Sequence, residues 1–198
     1  MPRKSASLRR QELIEAGLRV IAREGVQGAT VRAIVAEAEV PLATFHYIFS
    51  SRDEMIGQAY EFASVLPDDG GAAVPEGATL EGVILGALHQ WFQTLVEHSQ
   101  YEQAVMEIMA YCARRPSLSH LPSQVHERYR EVAARAAERA RERFGVTSDV
   151  PASEVAALAL HVSDGITCSW LRTRDAEAAH RYMEADVPLL RKALAGNP

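Results

Sequence analysis

The sequence has little of what secreted and membrane proteins are built on. Two cysteines in 198 residues, Cys112 and Cys168, are too few and too isolated for a disulfide framework or for a zinc site of closely spaced thiolates. No stretch of 18 apolar residues occurs, and Met1-Pro2-Arg3-Lys4-Ser5 runs straight into charged amphipathic sequence without an apolar leader segment. A cytoplasmic protein with reduced thiols and no membrane partner is expected. An excess of positive charge is missing too: 21 Lys and Arg stand against 26 Asp and Glu, a net charge of −5. That excludes a protein that coats nucleic acid through an overall basic surface. Period-2 alternation bounded by turn residues is also hard to find, which leaves no basis for a sheet.

What is present is apolar material, 47% of the chain, recurring every three to four residues. The fold class predicted is all-α. Leu13, Ile14, Gly17, Leu18 and Ile21 form one stripe of a first helix over 8–23, which Gly25 is placed to end. Thr30 precedes Val31, Ile34, Val35 and Ala38 and caps a second helix over 30–38. Pro41 suits only a helix start, so a third short helix is expected over 42–49, and Ser50-Ser51 then caps a fourth over 52–66. Residues 67–78 hold Pro67, Gly70, Gly71 and Pro75 and read as a linker. Beyond it, stripes over 80–95, 101–112, 129–144 and 152–172 predict four further helices, and 175–194 a last one with a kink or a fresh start near Asp186 and Pro188. Gly165, in mid-helix, is expected where two helices approach closely.

Residues 30–49 therefore hold two short helices joined by about three residues, the spacing of a helix-turn-helix, in which the first helix braces the second against the major groove. The order Thr30-Val31-Arg32-Ala33-Ile34, Ala38, Val40, Thr44, Phe49 and Ser51-Arg52-Asp53-Glu54-Met55 carries a closer likeness. Over residues 8–60 the chain resembles the DNA-binding domain of the TetR (tetracycline repressor) family. It departs from the family pattern at Glu39, where Gly is usual, at Pro41, where a small polar residue is usual, and at His46, where Tyr is usual. Charge agrees with the resemblance: residues 1–52 carry eight basic against five acidic side chains, net +3, and the rest carries −8.

The resemblance implies an N-terminal three-helix DNA-binding domain (1–52), joined through helix 52–66 and the linker to a larger helical effector-binding and dimerisation domain (79–198). It implies a homodimer on a two-fold operator in double-stranded DNA, released by a small apolar or aromatic effector. Thr44, His46 and Tyr47, with Pro41, Leu42 and Ala43, are then the groove-facing residues, and Thr30, Arg32 and Arg52 lie near phosphates. Leu42 and Ala43 bear no hydrogen-bonding side chains, so base reading there is confined to contacts such as thymine methyls. Trp91, Phe92, Val105, Met109, Cys112, Tyr129 and His161 are the candidates for the effector lining.

Two readings compete. One is a dimeric small-molecule-binding protein of the same fold without specific DNA binding, motivated by Glu39, Leu42 and Ala43. The other is an enzyme using His161 and Asp164, with Cys168 as nucleophile. Seven residues of helical rise set His161 and Cys168 about 10 Å apart along the axis, beyond hydrogen-bond reach, so no catalytic role is expected. Glu177 with His180 is the one Glu-x-x-His pair, where a carboxylate-bridged metal centre needs two. No metal and no cofactor are expected.

Overall fold

The computed structural model describes residues 5–64 and 76–196; Arg3, Lys4 and the expected linker up to residue 75 lie outside them. Among the described residues there are nine helices: α1 (Ala6–Gly28), α2 (Val31–Glu37), α3 (Leu42–Ile48), α4 (Arg52–Ala63), α5 (Leu80–Glu97), α6 (Ser99–Ala113), α7 (Leu121–Phe144), α8 (Ala152–Thr173) and α9 (Ala176–Ala195). The packing forms two compact units that interleave along the chain. One joins the described residues up to 64 with His98–Val125; the other joins 76–97 with those from 126 onward.

In the first unit, the expected stripe of α1 is buried along with Ala16 and Val20. Gly17 belongs to it because a Cβ there would stand 2.9 Å from Met55 Sδ of α4, so the two helices approach through the missing side chain. The helix starts at Ala6, where Ser5 Oγ accepts from the Leu8 amide, and outruns its expected end at Arg23. Gly25 does take a positive φ of 73°, but the chain resumes helical geometry for one more turn after it. Thr30 Oγ1 then accepts from the Ala33 amide to start α2, and Ser51 Oγ accepts from the Glu54 amide to start α4. Glu54 in turn accepts from both the amide and the hydroxyl of Ser50, at 2.8 and 2.6 Å. The fourth helix ends at Ala63, and residues 65 and 66 of its expected span are outside the description. Phe45, Phe49, Leu13, Leu18, Ile21, Ile34, Met55, Ile56 and Ile108 of α6 are fully buried. Each contributes about 1.5–3 kcal/mol through the water it no longer orders.

In the second unit, Leu88, Phe92 and Leu95 of α5 pack with Val162, Ile166 and Trp170 of α8 and Met183, Val187 and Leu190 of α9. The last helix runs through Pro188 without the fresh start that was one of the two expectations there. Met183 and Val187 before it and Leu190 and Leu194 after it are all buried, so one continuous apolar face offsets the lost backbone bond. Its final carbonyls are met by Arg141, whose guanidinium donates to Leu194 O at 2.9 Å and to Ala193 O at 3.3 Å.

The turn between α2 and α3 carries the clearest local cost. Glu39 sits at φ 52°, a left-handed conformation that burdens a residue with a Cβ by about 1–2 kcal/mol. Glu39→Gly relieves that strain at the expense of a looser unfolded chain, for an expected net gain of about 1 kcal/mol. Thermal unfolding checks it: Tm should rise by about 2–4 °C, and an unchanged or lower Tm would show that the turn is not strained.

Candidate nucleic-acid interface

Helix α3 is two-sided by its sequence spacing. Phe45 and Ile48 are buried with Phe49, while Leu42, Ala43, His46 and Tyr47 lie on the opposite side and are exposed, as is Pro41 before them. Tyr47 is 82% exposed, an unusual placement for a large aromatic side chain. Thr44 is half-buried. The helix is held from behind by Arg10 of α1, which donates to Ile48 O at 2.7 Å and Gln58 Oε1 at 2.8 Å and stacks over the Phe49 ring at 4.8 Å. That arrangement turns a seven-residue helix, too short to stand alone, into a rigid element.

Most of the basic residues in this unit are committed inside it. Arg9 pairs with Glu12 at 2.9 Å. Arg19 and Arg23 of α1 converge on Glu37 of α2, at 2.8 and 3.2 Å, and the bond from Arg19 is the main reason the Glu37 carboxyl is held below the ordinary carboxylate range. Among the described residues up to 52, Arg32, on the exposed side of α2, is the basic side chain with neither hydrogen bond nor ion pair.

Arg52 corrects an expectation. Placed near phosphates by the sequence, its guanidinium is turned inward: Nε donates to Ala29 O at 2.7 Å, Nη2 donates to Val26 O, and Nη1 donates to Tyr111 Oη at 3.1 Å. The reason is local. After Gly25 the 26–29 corner leaves backbone carbonyls without helical partners, and a planar fork of donors at the start of α4 satisfies two of them. Tyr111 Oη donates onward to Asp53 Oδ1 at 2.5 Å, and Arg115 lies 4.0 Å from the Tyr111 ring centre with Nε 3.2 Å from Asp53 Oδ2. On the amide side of the same corner, the Val26 N–H donates to Glu107 Oε1 of α6 at 2.7 Å. A Cβ at Gly25 would press to 3.1 Å against that carboxylate. Glu107 and Tyr111 were not singled out from sequence, and no local signal marks them, because their partners lie 81 and 58 residues away.

The candidate effector residues fall in different places. Phe92 is buried in the second unit's core with Trp91 packed beside it, and Tyr129 of α7 is half-buried. His161 is exposed on α8; its Nδ1 lies 2.6 Å from Ala157 O, and it lines an open groove of about 430 Å³ with Tyr182 and Asp186 of α9. No hydrogen bond joins it to Asp164 among the described residues. In the first unit, Val105 is half-buried, Met109 is 41% exposed and Cys112 is fully buried. Burial, and then the nearby Asp53 carboxylate, push the Cys112 thiol up to about 11, so it stays protonated and unreactive at neutral pH.

Residues 13–59 match the family model of the bacterial regulatory proteins of the tetR family. Over these residues the chain carries a domain of the tetR-family type. The nicotine-responsive transcriptional repressor HdnoR of Paenarthrobacter nicotinovorans is 47% identical over 51 residues, and the match spans about a quarter (26%) of the length of each protein. Solved structures extend the likeness over nearly the whole chain. A transcriptional regulator from Rhodococcus sp. Rha1 superposes with a TM-score of 0.69 at 22% identity, covering 96% of this chain and 98% of that one, which shows the fold. The multidrug binding protein EbrR, complexed with imidazole, gives a TM-score of 0.65 at 25% identity, covering 92% and 89%. The TetR-type helix-turn-helix is thus α2 and α3, with α1 and α4 packed behind it.

Arg52 and Tyr47 are therefore expected to separate in a denaturation experiment. Arg52→Ala leaves two corner carbonyls and Tyr111 without their charged donor and should cost about 2 kcal/mol or more in urea unfolding. Tyr47→Ala should change stability by less than about 0.5 kcal/mol. Equal losses in the two variants would contradict the division between framework and surface.

Proposed function

We propose that the chain is a ligand-responsive, DNA-binding transcriptional regulator, a cytoplasmic homodimer whose two α3 helices enter the major groove of a two-fold operator. The observation that carries this reading is the outward face of α3, with Leu42, Ala43, His46 and Tyr47 exposed on a rigidly backed helix inside the segment that matches the family. Thr30 and Arg32, at the start of α2, are the accompanying phosphate contacts, and Arg52 is given up for that role. No helix among the described residues is long and apolar enough to cross a membrane.

Dimerisation through α8 and α9 is supported by what those helices leave uncovered. A Cβ at Gly165 would meet nothing within 4 Å, and Tyr182 and Leu189 are 49% and 48% exposed. Half-sites about 34–36 Å apart then match the two recognition helices. HdnoR is described as nicotine-responsive and EbrR as multidrug binding, which supports a small apolar or aromatic effector and release of a repressor. Of the candidates for its lining, Trp91, Phe92, Tyr129 and His161 belong to the second unit and are kept for that role. An effector that binds the DNA-free form better by roughly 1–3 kcal/mol weakens operator binding about 5–150-fold.

Salt dependence tests DNA binding directly. If Arg32 and, from the sequence, Arg3 and Lys4 each meet a phosphate, a dimer neutralises about six phosphates, so log K against log salt should fall with a slope of about −5 on genomic fragments retained by the protein. A slope of zero, or no retained fragment, would favour a dimeric ligand-binding protein without a DNA role.

A further inference from the structure

We propose that α3 reads its operator through thymine methyl groups, with Leu42 as the specificity-determining side chain; this rests on the DNA-binding reading above. In the major groove, guanine, adenine and cytosine present themselves through hydrogen-bonding atoms, whereas thymine adds an apolar C5-methyl. Reading the first three by bidentate or charged hydrogen bonds takes Arg or Lys for guanine, Asn or Gln for adenine, and a carboxylate for cytosine, whereas a Thr hydroxyl such as that of half-buried Thr44 discriminates little. From Val40 to Phe49 the chain has none of these residue types.

Apart from Arg32, assigned above to phosphate, the basic residues of neighbouring elements do not supply the deficit. Arg10 is bonded to the end of α3, Arg52 to the 26–29 corner, and Arg19 and Arg23 to Glu37. What α3 turns outward is instead a short apolar edge, Pro41, Leu42 and Ala43, with Leu42 43% exposed. One turn further on the same side stand His46 and Tyr47, at i+4 from Leu42 and Ala43, which flank that edge with polar atoms suited to phosphate or base contacts. An exposed leucine beside an alanine, on the one helix of a helix-turn-helix that enters the groove, is complementary to a thymine methyl rather than to the hydrogen-bonding atoms of a base edge.

The test uses the full-length protein. Duplexes are selected from a random library, and dissociation constants are then measured for the best site with each thymine replaced singly by deoxyuridine, which removes the methyl and leaves every hydrogen-bonding atom in place. For the unaltered protein, at least one replacement in each half-site should weaken binding about fourfold, the equivalent of one buried methylene. In Leu42→Ala, whose melting temperature should match the parent's, the same replacement should have no effect. If every deoxyuridine site binds as tightly as its thymine parent, or if Leu42→Ala keeps the full methyl sensitivity, the proposal is overturned while DNA binding stands. If no duplex is selected at all, both fall together.

Discussion

The first unit depends on how the 25–29 corner is held. Gly25 breaks α1 with a positive φ, and a break inside a helix strands amides on one side and carbonyls on the other. Glu107 of α6 takes the Val26 amide, Arg52 of α4 takes the Val26 and Ala29 carbonyls, and Tyr111 of α6 ties Arg52 to Asp53. Thr30 caps α2 immediately after this corner, so its geometry sets the direction of α2 and, across the Glu39 turn, of α3. Three helices thus meet at four residues. Because each link is charge-assisted, loss of one leaves a partner unsatisfied and costs more than the bond itself returned.

The same economy explains the charge distribution. A net charge of +3 over 1–52 suggests a basic surface, yet the arginines of α1 and Arg52 are drawn into bonds that brace the helix-turn-helix. Positive charge here is chiefly framework. What remains for a partner is a small, shaped face, with Arg32 to one side and the Leu42, Ala43, His46 and Tyr47 edge at its centre. Such a surface gains less from phosphates in general and more from fit to a particular sequence, which is what a regulator among many competing sites requires.

Helix spans were largely readable because apolar residues at 3.6-residue spacing report one buried face, and Thr30, Pro41 and Ser51 mark where backbone amides need partners. The outward residues of α3 came from the family resemblance rather than from spacing: Leu42, Ala43, His46 and Tyr47 are exposed, whereas Thr44 is half-buried. Long-range bonding was not readable. Nothing near Arg52 says that two carbonyls of an earlier corner lie within reach, so a basic residue at a helix start looked like a phosphate ligand. Periodicity likewise shows that α6 has an apolar face without saying which helices it meets, and its packing with α1 and α4 comes only from the structure. Pro188 misled for a related reason: the cost of one lost hydrogen bond is local, whereas the face that carries α9 through it is not.

The central claim is that the corner-braced α2–α3 pair is the surface that meets the groove of DNA. Hydrogen exchange of the full-length protein, with and without a selected DNA fragment, measures this most directly. Amides of residues 30–48 should gain protection on addition of DNA, with Tyr47→Ala reducing the gain. Protection confined to α7, α8 or α9, with 30–48 unchanged, would contradict it.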